Sequence, residues 1–183
     1  KSEVLSALKI WVDKLDKKDP KFEHHLLEAL WVSWGMNMVD QNLVRELLSA
    51  NDYRARAAAV RVLRYNGHQI GDQEDLLMKA ADDEHGRVRL EAIVAASWLE
   101  KEKGIPILDE AGKKPLDQWM VHAYETARAH LNGKSLEEKK EEEISQEMNQ
   151  GKENLQKNQN SKAGGAQKKA AKKMEERRQS LSN

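Results

Sequence analysis

The chain has no cysteine, three prolines and one phenylalanine among 183 residues. Without cysteine there is no disulfide, thiolate metal site, thiol nucleophile or covalent c-type haem attachment within it. That absence does not fix a compartment, since many exported proteins also lack cysteine. No apolar run approaches the roughly 18 residues a membrane-spanning helix needs, so no membrane span is expected. No signal peptide opens the chain, which begins at Lys1 and reads as a mature or excised piece of something longer. Charge of one sign is also missing: 31 basic residues balance 31 acidic ones. Overall electrostatics therefore give no reason to expect a nucleic acid or a membrane surface, although a local patch can still serve. Glycine-rich phosphate loops, nucleophile elbows and zinc-binding helix motifs are absent, and most carboxylates lie in caps, turns or one acidic run. The expectation is a chain with no catalysis, no cofactor and no metal.

What is present is repetition. Arg54-Ala55-Arg56-Ala57-Ala58-Ala59 lies over Arg87-Val88-Arg89-Leu90-Glu91-Ala92 at a spacing of 33 residues. Moving 30 residues back from Ala59 reaches Ala29, and 31 forward from Ala92 reaches Ala123. A period in this range belongs to stacked helical hairpins, none of which can bury its apolar face alone. The alanines suit a close approach of helices. Arg54, Arg56, Arg87 and Arg89 fall in the first turn of the second helix of a pair, beside Asp52 and Asp82-Asp83. There they can bridge to the acidic turn of the next unit.

Apolar spacing predicts a helix over 2–16, then one opened by Asp19-Pro20 as cap and first helical residue and stopped near Gly35. Asp40 and Asn51-Asp52 cap a short and a longer helix, the latter ending where Gly67 suits a left-handed cap. A second short-long pair starts at Asp72 and Asp75 and runs on from about Gly86 to Lys103. The stretch 105–114, with Pro106 and Gly112, reads as a long link, and Pro115 as the start of a terminal helix closed by Asn132-Gly133. Beyond it, residues 137–147 hold six acidic and two basic side chains, and residues 162–178 hold seven basic and two acidic. So polar a segment cannot bury enough apolar surface to offset its ordering entropy. The expected architecture is all-α: a right-handed α-solenoid of three to four hairpins over 1–133, followed by a charged tail over 134–183, largely disordered or partly helical.

The pattern resembles HEAT repeats. More narrowly, His24-His25-Leu26-Leu27-Glu28-Ala29-Leu30-Trp31, Asp52-Tyr53-Arg54-Ala55-Arg56-Ala57-Ala58-Ala59 and His85-Gly86-Arg87-Val88-Arg89-Leu90-Glu91-Ala92 resemble the helical-repeat segment of large exported bacterial proteins. Those proteins join a sugar-dehydrogenase-like β-propeller, HEAT repeats and a c-type cytochrome module. The resemblance covers roughly residues 20–131. It implies a periplasmic or otherwise exported location, a place in an electron-transfer protein and a scaffold role. The chain itself has no Cys-x-x-Cys-His and no β-rich propeller sequence.

Adjacent His24 and His25 point about 100° apart on a helix and cannot readily chelate one ion. Glu28 and Glu91 occupy equivalent repeat positions and suggest a repeated structural job. The repeat register aligns Trp31 with Arg61 and Val94, Trp34 with Arg64 and Ser97, and Gly35 with Tyr65 and Trp98. If second helices line one surface, Trp31, Trp34, Arg61, Arg64, Tyr65 and Trp98 form an aromatic and basic strip of the kind that dominates binding interfaces. The other reading is that the tryptophans are core. Three functions follow: a scaffold for a protein partner or neighbouring domains, a free-standing adaptor using its tail, or a HEAT-like glycosylase acting on DNA. The last is disfavoured because residues 1–133 carry 19 basic and 22 acidic side chains, with no basic groove implied.

Overall fold

A computed structural model describes residues 2–135, 138, 142, 144–154, 156 and 157. These fall into two units, one within 1–136 and one within 137–183. The first is built from eight α-helices: α1 (Ser2–Asp13), α2 (Phe22–Gly35), α3 (Gln41–Leu47), α4 (Tyr53–Asn66), α5 (Gln73–Ala81), α6 (Gly86–Ala96), α7 (Lys101–Ala111) and α8 (Gln118–Leu131), with a 3-10 turn at Gly67–Gln69. No strand occurs among the described residues. In the second unit residues 144–154 are helical, and the remainder of the predicted tail lies largely outside the described residues.

Consecutive helices pair as hairpins, α1 with α2 through α7 with α8. The second members α2, α4, α6 and α8 also pack on one another in sequence, while α5 packs on α7, so the hairpins stack in two layers. The core runs through the interface between the layers. Leu26, Leu30, Leu47, Val60, Leu63, Leu77, Ile93, Ile107 and Leu108 are fully buried there, as are Ala29, Ala59 and Ala92.

The helices α4, α6 and α8 each start where a side chain can accept their free N–H groups. Asp52 Oδ1 accepts from the Arg54 N–H at 2.8 Å, His85 Nδ1 from Arg87 at 3.1 Å, and Asp117 Oδ1 from Trp119 and Met120 at 2.9 Å. These caps are spaced 33 and 32 residues apart, so Ala92 corresponds to Tyr124 in the last unit and the expected step of 31 to Ala123 is one short.

Two arginines repeat the same Nη1 contacts one period apart. Arg56 Nη1 donates to the Ala50 and Asn51 carbonyls at 2.8 and 3.0 Å, and Arg89 Nη1 donates to those of Asp83 and Glu84 at 3.0 and 2.9 Å. Both then reach into the next hairpin. Arg56 clasps Asp83 with Nε and Nη2 at 2.7 and 2.9 Å, and Arg89 Nη2 meets the Pro115 carbonyl at 2.8 Å. Arg54 and Arg87 do not cross. They lie two residues earlier, about 200° around the helix, and pair within their own units with Asp52 and Glu91. Other bridges between hairpins run from Glu23 to the Asn51 and Asp52 N–H groups and from Arg45 to Asp72 at 2.6 Å. Lys103 reaches Glu74, also at 2.6 Å.

Several sequence expectations are corrected. The first helix stops at Asp13, short of 16, and the second starts at Phe22, with Asp19 and Pro20 in a turn. The second helix does end at Gly35, as expected, and a left-handed residue follows at Asn37 (φ 55°). Gly67 is right-handed (φ −56°). A methyl there would overlap the Gln73 side chain, which donates to the Leu63 carbonyl at 2.8 Å. The predicted long helix from Gly86 ends at Ala96, and the supposed link is α7. Gly104, Ile107, Leu108 and Ala111 form its buried stripe, strong enough to hold a helix through Pro106. Gly104 has a packing role: a Cβ would stand 2.6 Å from the Ala96 carbonyl oxygen and 2.7 Å from Leu131. Pro115 precedes α8, which Asp117 caps.

Burial pushes the Asp83 carboxyl up, but hydrogen bonds from Arg56 and the His85 N–H outweigh it and hold it below its ordinary value. A depressed carboxyl stabilises the fold in its ionised form, fully above about pH 4 and progressively less as pH falls through the folded value. Asp83→Asn should therefore lower the thermal midpoint at pH 7 and flatten its decline below pH 4, measured by circular dichroism against the unsubstituted chain.

Candidate interaction surface

The face of the α2, α4 and α6 layer gathers aromatic side chains from three hairpins. Trp31 and Trp34 sit one turn apart on α2 with ring centroids 5.2 Å apart. Trp34 stacks on Tyr65 of α4 at 5.9 Å and 28°, and Tyr65 meets Trp98, just beyond α6, edge-on at 5.2 Å. Each spacing lies in the attractive range for aromatic pairs. The row is not core: Trp31 is 36% exposed, Tyr65 44% and Trp98 61%. Trp34 is the half-buried anchor, its indole N–H donating to Asn66 Oδ1 at 2.5 Å, and Asn66 in turn donates to Asn37 Oδ1 at 3.3 Å.

Beside the row lies a charge cluster. Glu91 is 5% exposed and receives three arginines: Arg61 at 2.5 Å, Arg87 at 3.1 Å and Arg64 at 3.8 Å. The Glu91 hydrogen bond raises the Arg61 pKa despite the opposing effect of burial. Arg64 also links cluster and row. Its guanidinium lies 4.4 Å from the Tyr65 ring centroid and 5.7 Å from that of Trp98, and Nη2 donates to the Tyr65 hydroxyl at 2.8 Å. All six strip residues, Trp31, Trp34, Arg61, Arg64, Tyr65 and Trp98, are thus brought together on one face.

The buried partner Glu91 is what sequence reasoning missed. Its equivalence with Glu28 does not carry over. Glu28 is exposed, with nitrogens of His24 and His25 at 3.3 and 3.7 Å, whereas Glu91 is enclosed because Arg61 and Arg64 of the neighbouring hairpin close over it. The signal available was the i, i+4 spacing of Arg87 and Glu91. Among the described residues no group of three or more His, Asp or Glu is placed to hold a metal ion, and no helix is long and apolar enough to cross a membrane.

Residues 41–127, from the start of α3 into α8, match the family described as HEAT repeats. The likeness spans the helical hairpins from α3 to most of α8, and the stacked-hairpin architecture agrees with it. No curated protein and no solved structure matches the chain.

Replacing Glu91 by Gln leaves three guanidinium groups without their shared charge. Arg61 and Arg87 are half in water, so the cost falls below that of a fully buried pair, at about 1–3 kcal/mol. The thermal midpoint should fall by several degrees. An unchanged midpoint would show that Glu91 does not hold the cluster.

Proposed function

We propose that this chain is a non-catalytic scaffold that binds a protein partner, or neighbouring domains, through the aromatic face of its second-helix layer. One observation carries the reading: aromatic rings from three hairpins stack into a continuous row, yet three of the four remain substantially in water. Holding large apolar rings at a surface forgoes the stabilisation that burial would give, about 25 cal/mol per Å². Exposed aromatic rows next to arginine are typical of the centres of binding interfaces. The HEAT-type match over residues 41–127 supports the same reading, because stacked repeats present extended surfaces. The reading assigns this chain no reaction and no cofactor.

The finer reading places the chain as a segment or subunit of an exported, periplasmic redox protein. It rests on the resemblance of the strings at 24–31, 52–59 and 85–92 to propeller, HEAT and cytochrome proteins. A reading frame with a signal peptide and a propeller upstream of Lys1 supports it, and a frame without them removes it.

The scaffold reading is tested with two baits, the natural chain and a Tyr65→Ala, Trp98→Ala variant. Both side chains are exposed, so the variant should unfold at nearly the same temperature. Proteins retained by the natural chain should be lost from the variant, as measured by quantitative mass spectrometry. Equal retention of the same proteins would contradict the reading.

A further inference from the structure

Past Trp98 the row opens into a groove of about 430 Å³ between α6 and α8, lined in part by Val94, Trp98, His122, Thr126 and His130. On the other side of Val94 lies the arginine cluster. Arg87, Glu91 and Val94 follow one face of α6 at helical spacing, and Trp98 comes just after its end. The surface therefore has a charged end and an apolar end along one helix.

The charged end is not neutral. Three guanidinium groups share one carboxylate, Glu91, leaving an excess of two positive charges. Glu91 is buried, whereas the Arg61 and Arg87 side chains are about half exposed and keep donors toward solvent. A planar guanidinium fork suits carboxylates in particular.

The geometry points to an extended acidic peptide segment of a partner protein as the occupant of this face. Its carboxylates would meet Arg61 and Arg87, and one apolar or aromatic side chain would enter the groove beside Trp98. The proposal rests on the scaffold reading and narrows it to a partner class. From Arg87 to Trp98 the helical rise is about 16 Å. An extended peptide covers that in about five residues, so the acidic and apolar groups should be separated by that interval. A nucleic acid is the poorer occupant. Its backbone needs a track of phosphate contacts, and residues 1–133 hold 22 acidic against 19 basic side chains.

The test uses the whole chain, labelled with nitrogen-15, and an amidated heptapeptide of two aspartates, four serines and a final leucine. The indole N–H signal of Trp98 and the Nε–H signals of Arg61 and Arg87 should move on titration, while those of Trp11 and Trp119 stay. Replacing both aspartates of the peptide by asparagine, or its leucine by serine, should weaken binding about tenfold. So should Arg87→Gln or Trp98→Ser in the protein, two exposed positions where substitution leaves the fold intact. Equal binding of the asparagine peptide would overturn the acidic class while leaving an interaction surface in place. Tighter binding of a ten-nucleotide oligouridylate at the same signals would overturn it in favour of nucleic acid. If no probe at millimolar concentration moves these signals, the proposal fails, and the scaffold reading then stands or falls on its own capture experiment.

Discussion

Everything on the aromatic face depends on how closely α4 can approach α6. Ala55 and Ala59 on the first and Ala92, Ala95 and Ala96 on the second are buried small side chains, and bulkier ones would hold the helices apart. Gly104 extends the same constraint to the next layer, where α7 lies against the end of α6 with no room for a methyl group. Small residues here set the distance between hairpins, and that distance decides whether side chains on successive helices can touch.

Distance alone does not set register, and the arginines supply the rest. Arg56 and Arg89 tie their own preceding turn to a turn of the following hairpin, so each unit is fixed both in spacing and along the helix axis. With the units locked this way, Trp34, Tyr65 and Trp98, remote in sequence, come within stacking distance. The make-up of this face thus follows from repetition: equivalent and adjacent slots in successive units face the same way, and the different residues that fill them compose one surface. Glu91 is the polar counterpart, a carboxylate on one hairpin that gathers arginines from two.

The repeated parts were legible in the chain, and the departures from repetition were not. Alanine and arginine spacing placed α4 and α6 because the pattern occurs twice and each copy supports the other. The α7 helix was obscured by Pro106 and Gly104, residues that usually interrupt helices. Its apolar stripe at 104, 107, 108 and 111 is the period that outweighed them. The aromatic strip could be aligned from the register, but whether its rings were core or surface depended on layer packing that no local pattern encodes. The burial of Glu91 was hidden for a related reason: it comes from Arg61 and Arg64 on another hairpin.

Hairpins distant in sequence stack in a fixed register and so assemble one aromatic face. Nuclear Overhauser spectroscopy of the chain in solution tests this most directly. Tyr65 ring protons should show cross-peaks to the indoles of both Trp34 and Trp98, whose ring centroids lie 5.9 and 5.2 Å away. Assigned spectra with cross-peaks to neither would contradict the stacking and, with it, the surface.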